Sequence, residues 1–351
     1  MGPFRLPTRI TSGTILTTLF AIAVIAFVVI GSFLTIAKGA YSLDIWEGFI
    51  ISGIALGAVY ALIAIGYTLV YGILFMINFA HGEVFMAGAF TAVFAAQALA
   101  SNGLVTANPL IAFLIVLLVA MLTSMIVAVL LERIAYRPLR NAPRLVPLIT
   151  AIGASLFLQY TFRGLYGTGV KAFPTFSTFQ GSFAIAGISI PVAKAVVAVA
   201  ALLLMLGLYF FVERTRTGRA MRAVSENKDV AAMMGIDVDR VIVVTFAIGG
   251  ILAGAAGILY TLIFNQVKFD MGFIPGIKAF TAAVLGGIGN IIGAMLGGLA
   301  LGLLEAVAPF LLLAGFNIPS PNQLKDVIAF SVLVLVLIFR PSGFLGRKEN
   351  V

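Results

Sequence analysis

Apolar runs of roughly bilayer length, separated by short polar intervals, recur from one end of the chain to the other. They occupy residues 14–37, 49–73, 84–100, 110–131, 148–166, 191–212, 241–264 and 291–313, with shorter ones at 277–289 and 327–339. About 20 apolar residues in a helix cross the hydrocarbon core of a bilayer. In lipid, backbone N–H and C=O groups must bond within their own segment. The pattern predicts an all-α polytopic membrane protein with about 8–10 transmembrane helices. The count is ten if residues 277–289 pass right through; at 13 residues that segment reads equally as a re-entrant or broken helix.

Composition sharpens the picture. Hydrophobic residues make up 62% of the chain and charged residues 10%, against roughly 25% charged in soluble globular proteins. Thirty-seven glycines fit membrane helices, which tolerate glycine better than soluble ones. The lack of cysteine in the sequence excludes disulfides, thiolate metal sites and cysteine nucleophiles. A single histidine, His81, argues against a histidine metal cluster. Arg5 and Arg9 precede the 24-residue run at 14–37, which is longer than the apolar centre of a signal peptide and predicts a retained first helix.

The net charge of +9 reads first as an orientation signal. With both termini cytoplasmic, the inner segments hold 15 of the 22 Lys and Arg residues. The outer segments hold Lys38, Arg163, Lys171, Lys194, Lys268, Lys278 and Lys325. The richest inner segments are residues 132–147, with Arg133, Arg137, Arg140 and Arg144, and residues 213–240, with six basic and five acidic side chains. The opposite orientation reverses that ratio. Basic residues distributed in this way do not point to nucleic acid. Residues 53–73 and 248–262 share a Gly/Ala-rich character, which fits either a duplicated transporter half or common membrane-helix composition.

Three stretches carry candidate chemistry. Asn78, His81 and Glu83 stand in Asn-Phe-Ala-His-Gly-Glu between two apolar runs. Asn at a helix start caps backbone N–H groups, and Glu in the first turn complements the helix dipole. This is either a capped cytoplasmic turn near the inner face or, since ionisable groups near lipid are costly, a gate or partner contact. Residues 213–240 are far longer than a connection requires. Ala231, Ala232, Met233 and Met234 give them a small apolar helical surface ended by Gly235, suited to docking a soluble partner or to lying on the lipid surface. Glycines at 289, 293 and 297, and at 298 and 302, have the four-residue spacing of closely packed membrane helices. The other reading of Gly289 and Asn290 is an unwound segment lining a substrate path. The Gly-Gly-x-Gly at 286–289 lacks the Lys-Ser/Thr ending of a phosphate loop. Glu305 lies inside an apolar run, and Gln159 and Arg163 sit four apart on one helix; each either lines a pathway or makes an interhelical bond.

Tyr60-Ala-Leu-Ile-Ala-Ile-Gly-Tyr67, Ile77-Asn-Phe-Ala-His-Gly-Glu83, Glu132-Arg-Ile-Ala-Tyr-Arg-Pro-Leu-Arg140 and Lys278-Ala-Phe-Thr-Ala-Ala-Val-Leu-Gly-Gly-Ile-Gly289 together resemble the LivH-type permeases of branched-chain amino acid ABC importers. The resemblance runs from about Glu47 to Pro341-Ser-Gly-Phe-Leu-Gly346. It divides the chain into an N-terminal helix and outer loop, 1–46, and a permease domain, 47–348. It implies a transmembrane permease subunit in the bacterial cytoplasmic (inner) membrane, surrounded by lipid, not itself an enzyme and binding no cofactor. The implied partners are a second permease, related or identical, two ABC ATPase subunits that hydrolyse ATP, and a periplasmic or lipid-anchored amino-acid-binding protein.

Residues 213–240 then correspond to the coupling element seated in a cleft of the ATPase. Arg219, Arg222, Glu226, Asp229, Ala231, Ala232 and Gly235 are its candidate contacts. Many importers have Glu-Ala-Ala with Gly four residues on; here Glu226 lies nine residues before Gly235, with Ala231 and Ala232 between. Closure of the ATPase pair on ATP tilts the permease helices and opens the pathway to alternate sides. The pathway needs polar groups because a zwitterion is costly in lipid. Asn78, His81, Glu83, Gln159, Gly289, Asn290 and Glu305 are its candidate gate or lining residues. Import of urea or short amides is the alternative within the family, and ion-coupled secondary transport the alternative outside it. The latter needs a relay of intramembrane ionisable groups, in which Glu305 is nearly alone. An intramembrane enzyme built on His81 and Glu83 lacks a nucleophile or metal partner.

Overall fold

A computed structural model describes residues 12–140, 142, 143, 145–340 and 342–346; Arg5, Arg9, Arg144, Pro341, Arg347 and Lys348 lie outside the described residues. The helices are α1 Ser12–Ala37, α2 Leu43–Leu74, α3 His81–Ser101, α4 Leu104–Ala107, α5 Pro109–Leu131, α6 Leu145–Tyr166 and α7 Val192–Arg214. They continue with α8 Arg216–Glu226, α9 Lys228–Met233, α10 Val238–Phe264, α11 Phe273–Gly286, α12 Ile291–Leu313 and α13 Lys325–Phe339. Four short strands form two antiparallel pairs: β1 Lys171–Ala172 with β4 Gln266–Val267, and β2 Ser182–Ile185 with β3 Ile188–Pro191. Among the described residues nine helices are long and apolar enough to cross a membrane, so the protein is an all-α polytopic membrane protein.

The remaining apolar segment forms a half-length helix. At 14 residues, α11 is about 21 Å long, short of a hydrocarbon core of about 30 Å. It spans Phe273–Gly286 rather than 277–289, because Gly287, at φ 104°, turns the chain away. Its first turn lies on the first turn of α3. A Cβ at Gly276 would stand 2.9 Å from Gly82 Cα, an approach that only glycine permits. At its other end Gly286 meets Gly293 in the first turn of α12. The segment is thus a half-length helix whose first turn packs against α3.

Helices α2 and α10 fill the centre, with α12 along α2 and α5 along α10. Apolar side chains gain little by leaving lipid for one another, so helix contact rests on close packing. Gly298 and Gly302 of α12 meet Ala61 and Gly57 of α2, while Gly293 and Gly297 meet Gly286 and Ala282 of α11. The four-residue glycine spacing thus packs α12 on two neighbours at once. Gly250 and Gly254 of α10 seat on Ser124 and Ala120 of α5 in the same way. Large apolar side chains on α1, α5, α6, α7 and α13 face outward, as lipid-facing helices require. Helix α1 is tied to the end of α12: Gly315 N donates to Thr35 Oγ1 at 2.7 Å, and Lys38 Nζ to Gly315 O at 2.6 Å.

Connections gather at two ends. At one lie residues 75–80, the π-helical turn Glu132–Tyr136, α8, α9, residues 287–290 and residues 342–346. Arg137 and Arg140 pair with Asp239 at the start of α10, Lys228 Nζ lies 6.0 Å from the Phe75 ring, and Asn290 Nδ2 donates to Leu345 O at 3.0 Å. At the other end Gln97 Nε2 donates to Ala172 O at 3.1 Å and Lys194 Nζ to Ser52 Oγ at 2.6 Å. This grouping follows the expected alternation of sides with one exception. Lys278, expected on an outer segment, is 2% exposed in the interior. The start of α11 is sunk into the bundle and carries the lysine with it.

Candidate functional site

The first polar constellation is built where α11 ends its approach to α12. Glu305 stands eight residues before the end of α12, about 12 Å along its axis, and is 2% exposed. Its Oε1 receives Lys278 Nζ at 2.7 Å and its Oε2 receives the Tyr60 hydroxyl at 2.9 Å. Lys278 Nζ also lies 2.5 Å from Asp326 Oδ1, and Lys325 Nζ lies 3.8 Å from Glu305 Oε1. These groups floor a cavity of about 220 Å³ whose rim carries Gln266, Lys268 and Asp270 beside β4. Glu305, expected to stand nearly alone, has three charged neighbours. Lys278, Tyr60, Lys325 and Asp326 were not legible as site residues, although a lysine inside an apolar segment is itself a signal.

The second constellation gathers around the first turn of α3. Gln159 Nε2 donates to Glu83 Oε1 at 2.7 Å and Ser155 Oγ to the same atom at 3.3 Å. Gln159 thus makes an interhelical bond, one of the two readings open to it, from α6 to α3. Arg163 does not share it: the guanidinium is exposed, 5.5 Å from the Phe269 ring and 5.7 Å from the Tyr160 ring. His81 lies edge-on to Tyr67 at 5.0 Å between centroids and fills the space left by Gly66. Gly66 is eight residues from the end of α2, about 12 Å, so His81 sits within the bundle rather than in a turn at its face.

Asn78 does not cap α3, whose N-cap is Ala80. Its Oδ1 instead accepts the Tyr136 hydroxyl at 2.7 Å from the π-helical turn after α5. Glu83 does stand in the first turn of α3, as a helix dipole favours. Gly289 and Asn290 lie in the turn between α11 and α12. Gly289 has φ 92°, and Asn290 Oδ1 accepts from Gly293 N at 3.0 Å, capping α12.

The third feature is a helix pair outside the bundle. Thr215 Oγ1 accepts from Gly218 N to start α8, Asn227 Oδ1 accepts from Asp229 N and Val230 N to start α9, and Gly235 at φ 82° follows. Arg222 Nη1 pairs with Glu213 Oε2 at 2.6 Å, holding α8 to the end of α7. Met233 and Met234 are each 78% exposed. Arg219, Glu226, Asp229, Ala232 and Gly235 are exposed as well. Ala231 differs from the sequence reading: it turns inward, 3% exposed, and belongs to the packing. Partial burial, reinforced by the charge of Arg140, lowers the pKa of Lys228 at the start of α9.

Among the described residues, nine helices of spanning length, a half-length helix and buried charges lining a cavity define a multi-pass membrane protein of the transporter class. Residues 49–337 match the family described as branched-chain amino acid transport system / permease component, and the chain belongs to that family. It is 45% identical over 305 residues to the high-affinity branched-chain amino acid transport system permease protein BraD of Pseudomonas aeruginosa, covering 86% of this chain and 95% of that protein. The LivH permease proteins of Salmonella typhimurium and of Escherichia coli K12 are each 43% identical over 305 residues, covering 85% of this chain and 94% of theirs. Helix α1 precedes the residues matched by the family.

Proposed function

We propose that this chain is the transmembrane permease subunit of an ATP-driven importer of branched-chain amino acids. It lies in the bacterial cytoplasmic membrane with both termini and the α8–α9 pair on the cytoplasmic side. One observation carries the reading: similarity to BraD and LivH extends over nearly their whole length. The chain works with a second permease, two ATPase subunits and an amino-acid-binding protein. ATP is hydrolysed by the ATPase subunits, and this chain supplies the path.

In this reading α8 and α9 form the coupling element. Val230, Ala232, Met233 and Met234 make its apolar contact, rimmed by Arg219, Glu226 and Asp229. Arg222 and Ala231 hold the pair to the chain, and Gly235 turns back toward α10. Motion of α9 reaches α10 directly and the end of α2 through Lys228 and Phe75. Asn78, His81, Glu83 and Gln159 form the gate at that half of the bundle, and Gly289 and Asn290 are the joint between α11 and α12. Glu305 belongs to the pathway from the other side.

Affinity purification from native membranes, with co-purifying subunits identified by mass, tests the assignment. An ATPase and a second permease are expected. A stable homo-oligomer free of any ATPase overturns the reading.

A further inference from the structure

We infer that the cavity between α2, α10, α11, α12 and α13 binds the charged ammonium and carboxylate of a zwitterionic α-amino acid by counter-ion exchange. The inference rests on the proposed function for its substrate class. Its physical basis is the unequal burial of the four charges on the cavity floor. The side chains of Lys278 and Glu305 are 3% and 2% exposed, whereas those of Lys325 and Asp326 are 35% and 43% exposed. The first pair is enclosed in the bundle; the second reaches in from the start of α13 with its side chains partly exposed.

A ligand carboxylate that takes the place of Asp326 leaves Lys278 paired. A ligand ammonium that takes the place of Lys325 leaves Glu305 paired. Neither buried charge is stripped at any stage, which matters because an uncompensated buried charge is strongly unfavourable. The charge sum supports the exchange. Lys268, Lys278 and Lys325 balance Asp270, Glu305 and Asp326 around the cavity, so a ligand without net charge leaves the site neutral. At about 220 Å³ the cavity far exceeds the ~10–15 Å³ that admits one water. Leu56, Phe264 and Ile274 in its wall receive an aliphatic side chain. Urea and short amides, which carry no separated charges, gain nothing from the exchange.

The test is equilibrium binding of tritiated L-leucine to the purified permease complex in lipid nanodiscs, with leucinamide and 4-methylpentanoate as competitors. Wild type is expected to bind leucine at least about tenfold more tightly than either competitor, since each lacks one charge-assisted contact. K278M is expected to lose leucine by about tenfold or more. The D326N variant removes a competing carboxylate at a half-exposed position and keeps the test independent of folding. It is expected to tighten leucine and to favour 4-methylpentanoate over leucinamide, a shift that loss of a structural contact does not produce. Leucine uptake by cells carrying the wild-type complex, with K278M and D326N both within twofold of wild type in binding, overturns this site alone. A wild-type complex that neither binds nor takes up leucine overturns the site together with the proposed function.

Discussion

Lys278 and Glu305 illustrate how two charges survive in an apolar bundle. Each is almost fully enclosed, and each has the other 2.7 Å away, with Tyr60 and Asp326 occupying further positions. Removing Lys278 leaves the buried Glu305 with only the Tyr60 hydroxyl and the more distant Lys325, whereas removing both leaves an apolar gap. K278M is therefore expected to lower stability by about 3–5 kcal/mol. The double variant K278M/E305M is expected to recover most of that loss. Thermal unfolding of the detergent-solubilised chain checks the cycle; equal losses in the single and double variants contradict it. Asn78 shows a different economy. A helix cap is one of the readings the sequence offers for it, yet the hydroxyl of Tyr136, 58 residues away, donates to its side-chain oxygen. Local signals suggest a cap, and a distant partner decides otherwise.

At the scale of elements, glycine spacing and half-length helices set the architecture. Gly302 lies on Gly57 with no room for a side chain between α12 and α2. G302V is expected to cost at least about 1–3 kcal/mol through overpacking and to lower the yield of folded protein, measured by size-exclusion chromatography in detergent. Gly153, with open space beside it, is the matched control: G153V is expected to leave the yield unchanged. The α8–α9 pair buries Met221, Val224 and Ala231 but leaves Val230, Met233 and the following Met234 exposed. M233E/M234E is accordingly expected to preserve folding and membrane insertion while abolishing association with the ATPase, read by co-purification. Retained association contradicts the assignment of this face.

For the molecule as a whole, the two ends of the bundle differ in charge as well as shape. Arg133, Arg137, Arg140, Arg214, Arg216, Arg219 and Arg222 all belong to the end that carries α8 and α9. Since the sequence has no cysteine, single cysteines report sidedness without background. In intact cells E226C is expected to resist a membrane-impermeant maleimide and K171C to react; the reverse pattern contradicts the orientation. Much of this scale was legible in the sequence. Apolar runs located the nine spanning helices of the described residues, though α2 begins at Leu43 rather than 49 and α3 at His81 rather than 84. His81 and Glu83 at the start of α3 are buried by tertiary packing, which periodicity does not register.

The candidate site was legible only in part. Glu305, Glu83 and Gln159 stand out as polar residues in apolar surroundings. The partners of Glu305 lie on α2, α11 and α13, far apart in sequence, and Lys278 stands at the edge of an apolar run too short to read plainly as a span, which leaves it counted with the outer segments. The central claim is that this chain moves amino acids with energy from a separate ATPase. ATP-dependent uptake of labelled leucine into proteoliposomes containing the purified complex tests it most directly, with the amino-acid-binding protein supplied on the opposite side. The account predicts uptake only when ATP is on the α8–α9 side. Uptake that proceeds without ATP on a proton or sodium gradient contradicts it.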